Sequence, residues 1–83
     1  MKQAKSNKTP LVLIEWLDSH HVAGWHTSEP AEKPLLCRSV GWLVYDGSEA
    51  KTVAPHITEE DTQQRCGEMT IPTRSVVRMK VLQ

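Results

Sequence analysis

The stretch that most constrains the fold is the C-terminal run Gly67-Glu-Met-Thr-Ile-Pro-Thr-Arg-Ser-Val-Val-Arg-Met-Lys-Val-Leu82. Met69 and Ile71 alternate with Glu68 and Thr70, and Val77, Met79 and Val81 alternate with Arg78 and Lys80. A period of two places one set of side chains on a core and the other in water, which defines a half-buried strand. Pro72 interrupts the two runs. It has no N–H to give to a ladder, so the first strand must stop there, and Thr73-Arg74-Ser75 are left to make a single tight turn.

The rest of the chain has the same β character. Leu11 to Asp18 alternates Val12, Ile14 and Trp16 with Leu11, Leu13, Glu15 and Leu17. Both faces are largely apolar, which predicts core on one side and a second cover, a tail or a neighbouring subunit, on the other. Asp18-Ser19 signals a turn. Leu35 to Tyr45 is a second strand with Val40, Trp42 and Val44 as its stronger apolar face, and Gly41 marks a bend or bulge. Asp46-Gly47 predicts a hairpin, with Ser48 and Glu49 lengthening its loop. Lys51 to Ile57 returns as a third strand, with Val53 and Ile57 inward and Pro55 at an edge or bulge. The expected strands are therefore 11–17, 36–45, 51–57, 67–71 and 76–82, with no helix beyond about two turns.

Two segments lack this pattern. His20-His21-Val-Ala-Gly-Trp25-His26 fits a short strand, and Ser28 to Pro34, with two prolines and three charges, is a loop. Long excursions of this kind in small domains carry function or move. Thr58 to Gly67 has a helix N-cap candidate in Thr58, acids Glu59-Glu60-Asp61 in the first turn and a glycine stop, yet no apolar stripe. Two solvated helical turns and an irregular loop fit it equally.

Eighty-three residues make one domain: a flexible basic tail over 1–10, carrying Lys2, Lys5 and Lys8, and a folded unit over 11–83. A chain of this size buries only about 60–65% of its unfolded surface, so a partner or self-association is an expected source of stability. Ten basic and ten acidic residues cancel, which argues against bulk nucleic-acid binding driven by phosphate neutralisation. No apolar run reaches the roughly 18–20 residues that span a bilayer. Cys37 and Cys66 stand far apart, outside any C-x-x-C arrangement, and read as reduced thiols of a cytoplasmic protein.

In these features the chain resembles a small SH3-like barrel. The residues that carry the likeness are the five-strand order, the long first loop, the Asp46-Gly47 hairpin, and Ile71-Pro72, three residues, then Val76, a spacing many SH3 domains show at the same junction. An Sm-like barrel is a related resemblance, through Val12-x-x-Glu15-x-Leu17-Asp18 and Gly41-x-Leu43-x-x-Asp46. The size, polar tail and lone barrel also look like small accessory proteins of phages and prophages. The likeness implies an all-β, five-stranded, strongly bent barrel. The Ala-Leu-Tyr-Asp-Tyr strand and the acidic first loop of signalling SH3 domains are absent, so Pro-rich peptide recognition does not follow. The Arg-Gly pair of Sm proteins is absent too, and with it the basis for uridine binding.

Candidate chemistry is sparse. His20, His21, His26 and His56 with Cys37 and Cys66 form no close ligand pairs of the kind structural zinc needs. No nucleophile elbow or phosphate-cradling glycine loop is present, and Asp18, Glu15 and Asp46 have the spacing of ordinary surface carboxylates. These residues imply neither an enzyme nor a cofactor. Binding is the better reading. Trp42 and Trp16 are expected in the core. Trp25, in a loop beside Gly24 and His26, is the aromatic free to anchor a partner, and Tyr45, Arg74 and Arg78, with Arg38, complete the candidate surface. The expected partner is a protein or a second copy, with a nucleotide or nucleic acid as the alternative ligand and no membrane.

Overall fold

A computed structural model describes residues 8–83. Most of the expected basic tail, with Lys2 and Lys5, lies outside the described residues. The described chain is all-β: β1 (Leu11–Asp18), β2 (Leu35–Asp46), β3 (Ala50–Ala54), β4 (His56–Ile57), β5 (Arg65–Cys66), β6 (Met69–Pro72), a 3₁₀ turn (Thr73–Ser75) and β7 (Val76–Val81). Five strands form one antiparallel sheet in the order β6-β3-β2-β1-β7, and β4 pairs with β5 in a second, two-stranded sheet.

The alternation on β1 places the core. Val12 and Ile14 are fully buried, and with Val53 and Ile71 they form a cluster against which Trp16, Leu43, Val76 and Met79 pack. Ile14 lies opposite Ser39 on β2 and Met79 on β7, and Trp16 lies opposite Cys37 and Val76. Burying a side chain such as Ile14 contributes about 1.5–3 kcal/mol. The Trp16 indole N–H donates to Ser39 Oγ at 3.0 Å, so its polar edge is satisfied where it enters the core.

The β2 expectation is corrected by this register. Its inward positions are Cys37, Ser39, Gly41 and Leu43, and Val40 and Trp42 face the other way. Val40 is exposed, and Trp42 is half-buried outside the core cluster. The cause lies in β1. Glu15 must share a face with Leu13 and Leu17, and turning that face to the core would bury a carboxylate without water. Small residues on β2 then leave room for Val12 and Ile14. At Gly41 an added Cβ would stand 3.0 Å from the Ala54 carbonyl oxygen and 3.2 Å from Val53 Cβ. The inward glycine is thus what lets β2 and β3 approach.

Two irregularities shape the sheet. The β2–β3 register shifts between Leu43 and Tyr45, and the β1–β7 register shifts opposite Glu15 and Trp16. Such bulges bend strands and increase twist. The β2–β3 loop is longer than two residues, as expected. Gly47 N–H donates to the Ala50 carbonyl at 2.9 Å, and Lys51 pairs with Asp46 across the strand ends. The 3₁₀ turn is fastened to this loop, because Thr73 donates its N–H to Glu49 O at 3.1 Å and its hydroxyl to Gly47 O at 2.8 Å.

The third expected strand is divided. Pro55 ends β3 at Ala54, and the chain continues as β4, paired with β5. Ile57 is therefore half-buried in the second sheet rather than in the core. Between them residues 58–64 are irregular. The Thr58 hydroxyl accepts from Gln64 N–H at 2.8 Å and Thr58 N–H donates to Gln64 O at 2.9 Å. Both groups close a loop, and no helix is capped. Residues 19–34 form no strand, including at His20–His26, and are exposed throughout. They leave the paired ends of β1 and β2, where Asp18 faces Leu35, as an arm.

Candidate binding surface on the outer sheet face

The face of the sheet opposite the core is built in rows that follow from the register. Glu15 on the central strand β1 stands opposite Arg38 on β2 and Arg78 on β7. Arg38 Nε donates to Glu15 Oε2 at 3.0 Å, and Arg78 Nη2 forms an ion pair with Oε1 at 2.9 Å. The carboxylate side chain is only 11% exposed, whereas those of Arg38 and Arg78 are 72% and 67% exposed. The arginine stems thus roof the acid while their guanidinium heads stay in water. Each guanidinium carries five N–H donors, so most remain free for an incoming acceptor.

On one side of this charged row lie Leu13 and Val40 with Lys80, and on the other Leu17 and Leu36. Leu11 and Trp42 form a further row. Val40 is 58% exposed, Leu36 56% and Leu17 39%. Arg38, Arg78 and Lys80 against Glu15 leave the central rows of the face positively charged. Its centre is fixed by one charge-assisted hydrogen bond and a second ion pair, and its flanks are aliphatic side chains in water.

Trp42 also borders a concavity of about 830 Å³ between the first described residues and the 58–63 loop, lined by Pro10, Ile57, Glu59, Glu60 and Asp61 among others. Residues 9 and 10 are held there: Pro10 O accepts from Leu43 N–H at 2.8 Å, and Thr9 Oγ1 accepts from Gln63 Nε2 at 3.4 Å.

The residues singled out from sequence do not meet in one place. Trp25 and His26 lie in the arm, where Trp25 is fully exposed and His26 Nδ1 accepts from Ser28 N–H at 3.2 Å. Tyr45 is exposed beyond the β2 bulge, with its ring over Gly47. Arg74 is in the 3₁₀ turn, with no ion pair to any described residue, and Arg78 belongs to the outer row. The carboxylates considered for acid–base work are separately engaged, Glu15 with two arginines, Asp46 with Lys51, and Asp18 Oδ1 with Ser19 N–H at 2.7 Å. Cys37 and Cys66 are free thiols. Among the described residues no three His, Cys, Asp or Glu side chains converge as metal ligands, and no helix is long and apolar enough to cross a membrane.

Glu15, Leu36 and Val40 were not selected as site residues from the sequence. The available signal was Glu15 itself: a lone carboxylate amid apolar strand residues requires cationic partners on adjacent strands. No protein-family model, curated protein or solved structure matches the chain.

Proposed function

We propose that the protein is a non-enzymatic binding and assembly module that docks another protein surface on the outer face of its five-stranded sheet. The observation that carries this reading is the set of aliphatic side chains, Val40 and Leu36 foremost, held in water on both sides of the Arg38–Glu15–Arg78 row. Aliphatic rows supply area to remove from water, and a fixed pair of guanidiniums supplies direction for a partner's acidic group. The finer fold assignment, an SH3-like barrel, is part of the same proposal. It is supported by the strand order β6-β3-β2-β1-β7 and by the 3₁₀ turn joining β6 to β7. The separate engagement of Glu15, Asp18 and Asp46 supports a role without catalysis.

Site-specific photocrosslinking in the source cells tests the docking face. A benzophenone amino acid at Val40 should yield protein adducts, whereas the same group at Val77, exposed on the edge strand β7, should not. Absence of adducts at Val40, or adducts only at Val77, would remove the outer face from the proposal.

A second reading, nucleotide or nucleic-acid binding on this face, is favoured by one feature: Arg38, Arg78 and Lys80 share it. Such binding would weaken steeply with salt as phosphate contacts release counterions. Docking through the aliphatic rows would weaken far less. Fluorescence titration of a labelled single-stranded oligonucleotide at low and high salt separates them, and no binding at low salt excludes the second reading.

A further inference from the structure

Two features are at once unpartnered among the described residues, and they are complementary. The first is the outer sheet face, with Leu13, Leu36 and Val40 around a row whose cations outnumber its carboxylate. The second is the arm, residues 19–34, in which every side chain is exposed. It presents Val22 at 59% and Trp25 at 105% exposure, with nothing over the indole. Gly24 holds a left-handed backbone conformation at φ +89° with no atom within 4 Å of where a Cβ would stand. This glycine turns the chain just before Trp25 and leaves the approach to it clear. With histidine counted as neutral, the arm carries Glu29 and Glu32 against Lys33, the charge opposite to that of the sheet face.

We propose that the arm of one chain docks on the outer sheet face of a second copy, seating Trp25 against the aliphatic rows and bringing Glu29 or Glu32 to the free guanidinium edges of Arg38 and Arg78. This rests on the assignment of the outer face as the docking surface and names its occupant. The arm springs from the Asp18–Leu35 end of the β1–β2 pair, next to the Leu17–Leu36 row of that face. Two molecules facing each other across a two-fold axis can therefore exchange arms reciprocally, and the contact closes at a dimer. Each exchange removes one Trp from water, a residue that buries about 150–250 Å² and ranks among the strongest interface anchors.

Sedimentation equilibrium on the full chain from low to high micromolar concentration tests this. The wild type should shift from monomer to dimer. Trp25→Ala and Val40→Asp should each weaken dimerisation by about a thousand-fold, because a variant's own dimer loses a hot spot in both contacts, about thirty-fold for each. Leu36→Asp repeats the face test at a second exposed position, and thermal melts establish that the variants are folded. The decisive arm is an equimolar mixture of Trp25→Ala and Val40→Asp chains. The first keeps an intact face and the second an intact arm, so the mixed dimer retains one complete contact and should form more readily than either variant's own dimer. A wild type that stays monomeric throughout overturns the proposal, as does a dimer indifferent to these substitutions, or a mixture no better than its components. The two readings fail separately: a monomer that still gives adducts to a different protein at Val40 overturns arm exchange alone, whereas no adducts at Val40 removes the docking face as well.

Discussion

Glu15 and Ile14 are neighbours in the chain with opposite demands, and their substitutions should separate accordingly. Ile14 is fully buried in a cluster of four side chains. Truncation to Ala removes about 2–5 kcal/mol through lost transfer and a residual cavity, and small domains have only about 5 kcal/mol or so to lose. Ile14→Ala should therefore be largely unfolded at room temperature by circular dichroism. Glu15 bonds two arginines that are mostly in water, so screening discounts its ion pairs to about 1 kcal/mol in all. Glu15→Ala should stay folded, with a urea midpoint only slightly lowered and a difference from wild type that shrinks in high salt. A Glu15→Ala chain that unfolds as Ile14→Ala does would mean that the row supports the core as well as organising the outer face. Glu15→Leu should keep the stability, since an apolar residue can replace a covered ion pair without loss, while freeing Arg38 and Arg78 from their fixed positions.

At the scale of elements, the glycines on either side of the β2 bulge make a matched pair. Gly41 faces the Ala54 backbone, which cannot step aside, so Gly41→Ala should cost about 1–3 kcal/mol as an overpacking substitution. At Gly47 the atoms in the way belong to the Tyr45 ring, an exposed side chain that can swing clear. Gly47→Ala should change stability by no more than about 0.5 kcal/mol. Chemical denaturation of both variants checks the contrast, and equal losses would show that β2 and β3 are not in close approach at Gly41. Which elements exist was legible from alternation, because β1, β2, β6 and β7 each carry a period of two and Pro72 separates the last pair. Which way β2 faces was not. Both faces of β1 are apolar, so orientation turns on Glu15 finding Arg38 and Arg78, residues on strands whose register the local pattern does not encode. The same holds for the outer surface, which exists only once three strands are aligned. β4 fell within the expected third strand but not as a separate pair, and β5 was invisible for a simpler reason: two residues have no period. The arm, by contrast, was marked by Pro30, Pro34 and the loss of alternation, although the short strand that fits His20–His26, Trp25 included, does not form.

On the scale of the whole molecule, β6 and β7 are the end strands of the sheet among the described residues. Pro72 sits in the first, and Arg78 and Lys80 alternate along the second, devices that discourage indiscriminate strand addition. In the proposed assembly, association is thereby directed to the face and the arm. The arm should be separable from the fold. It supplies none of the core residues, all of which lie on strands, and among the described residues it joins the sheet through the ends of β1 and β2. Replacing residues 20–33 with a short Gly/Asn turn reduces the closed loop to about a quarter of its length, which favours the folded state by about 1.2 kcal/mol of loop-closure entropy. For a domain of this size that corresponds to a rise in melting temperature of about 5–10 °C. Calorimetry of both chains at a concentration where the full chain is monomeric should show this rise together with full cooperativity, since association would itself stabilise the full chain. Sedimentation should show a monomer at concentrations where the full chain has associated. A fall in melting temperature would place the arm among the elements that hold the fold. A shortened chain that still dimerises would assign self-association to the sheet face alone, with Trp25 left out of it.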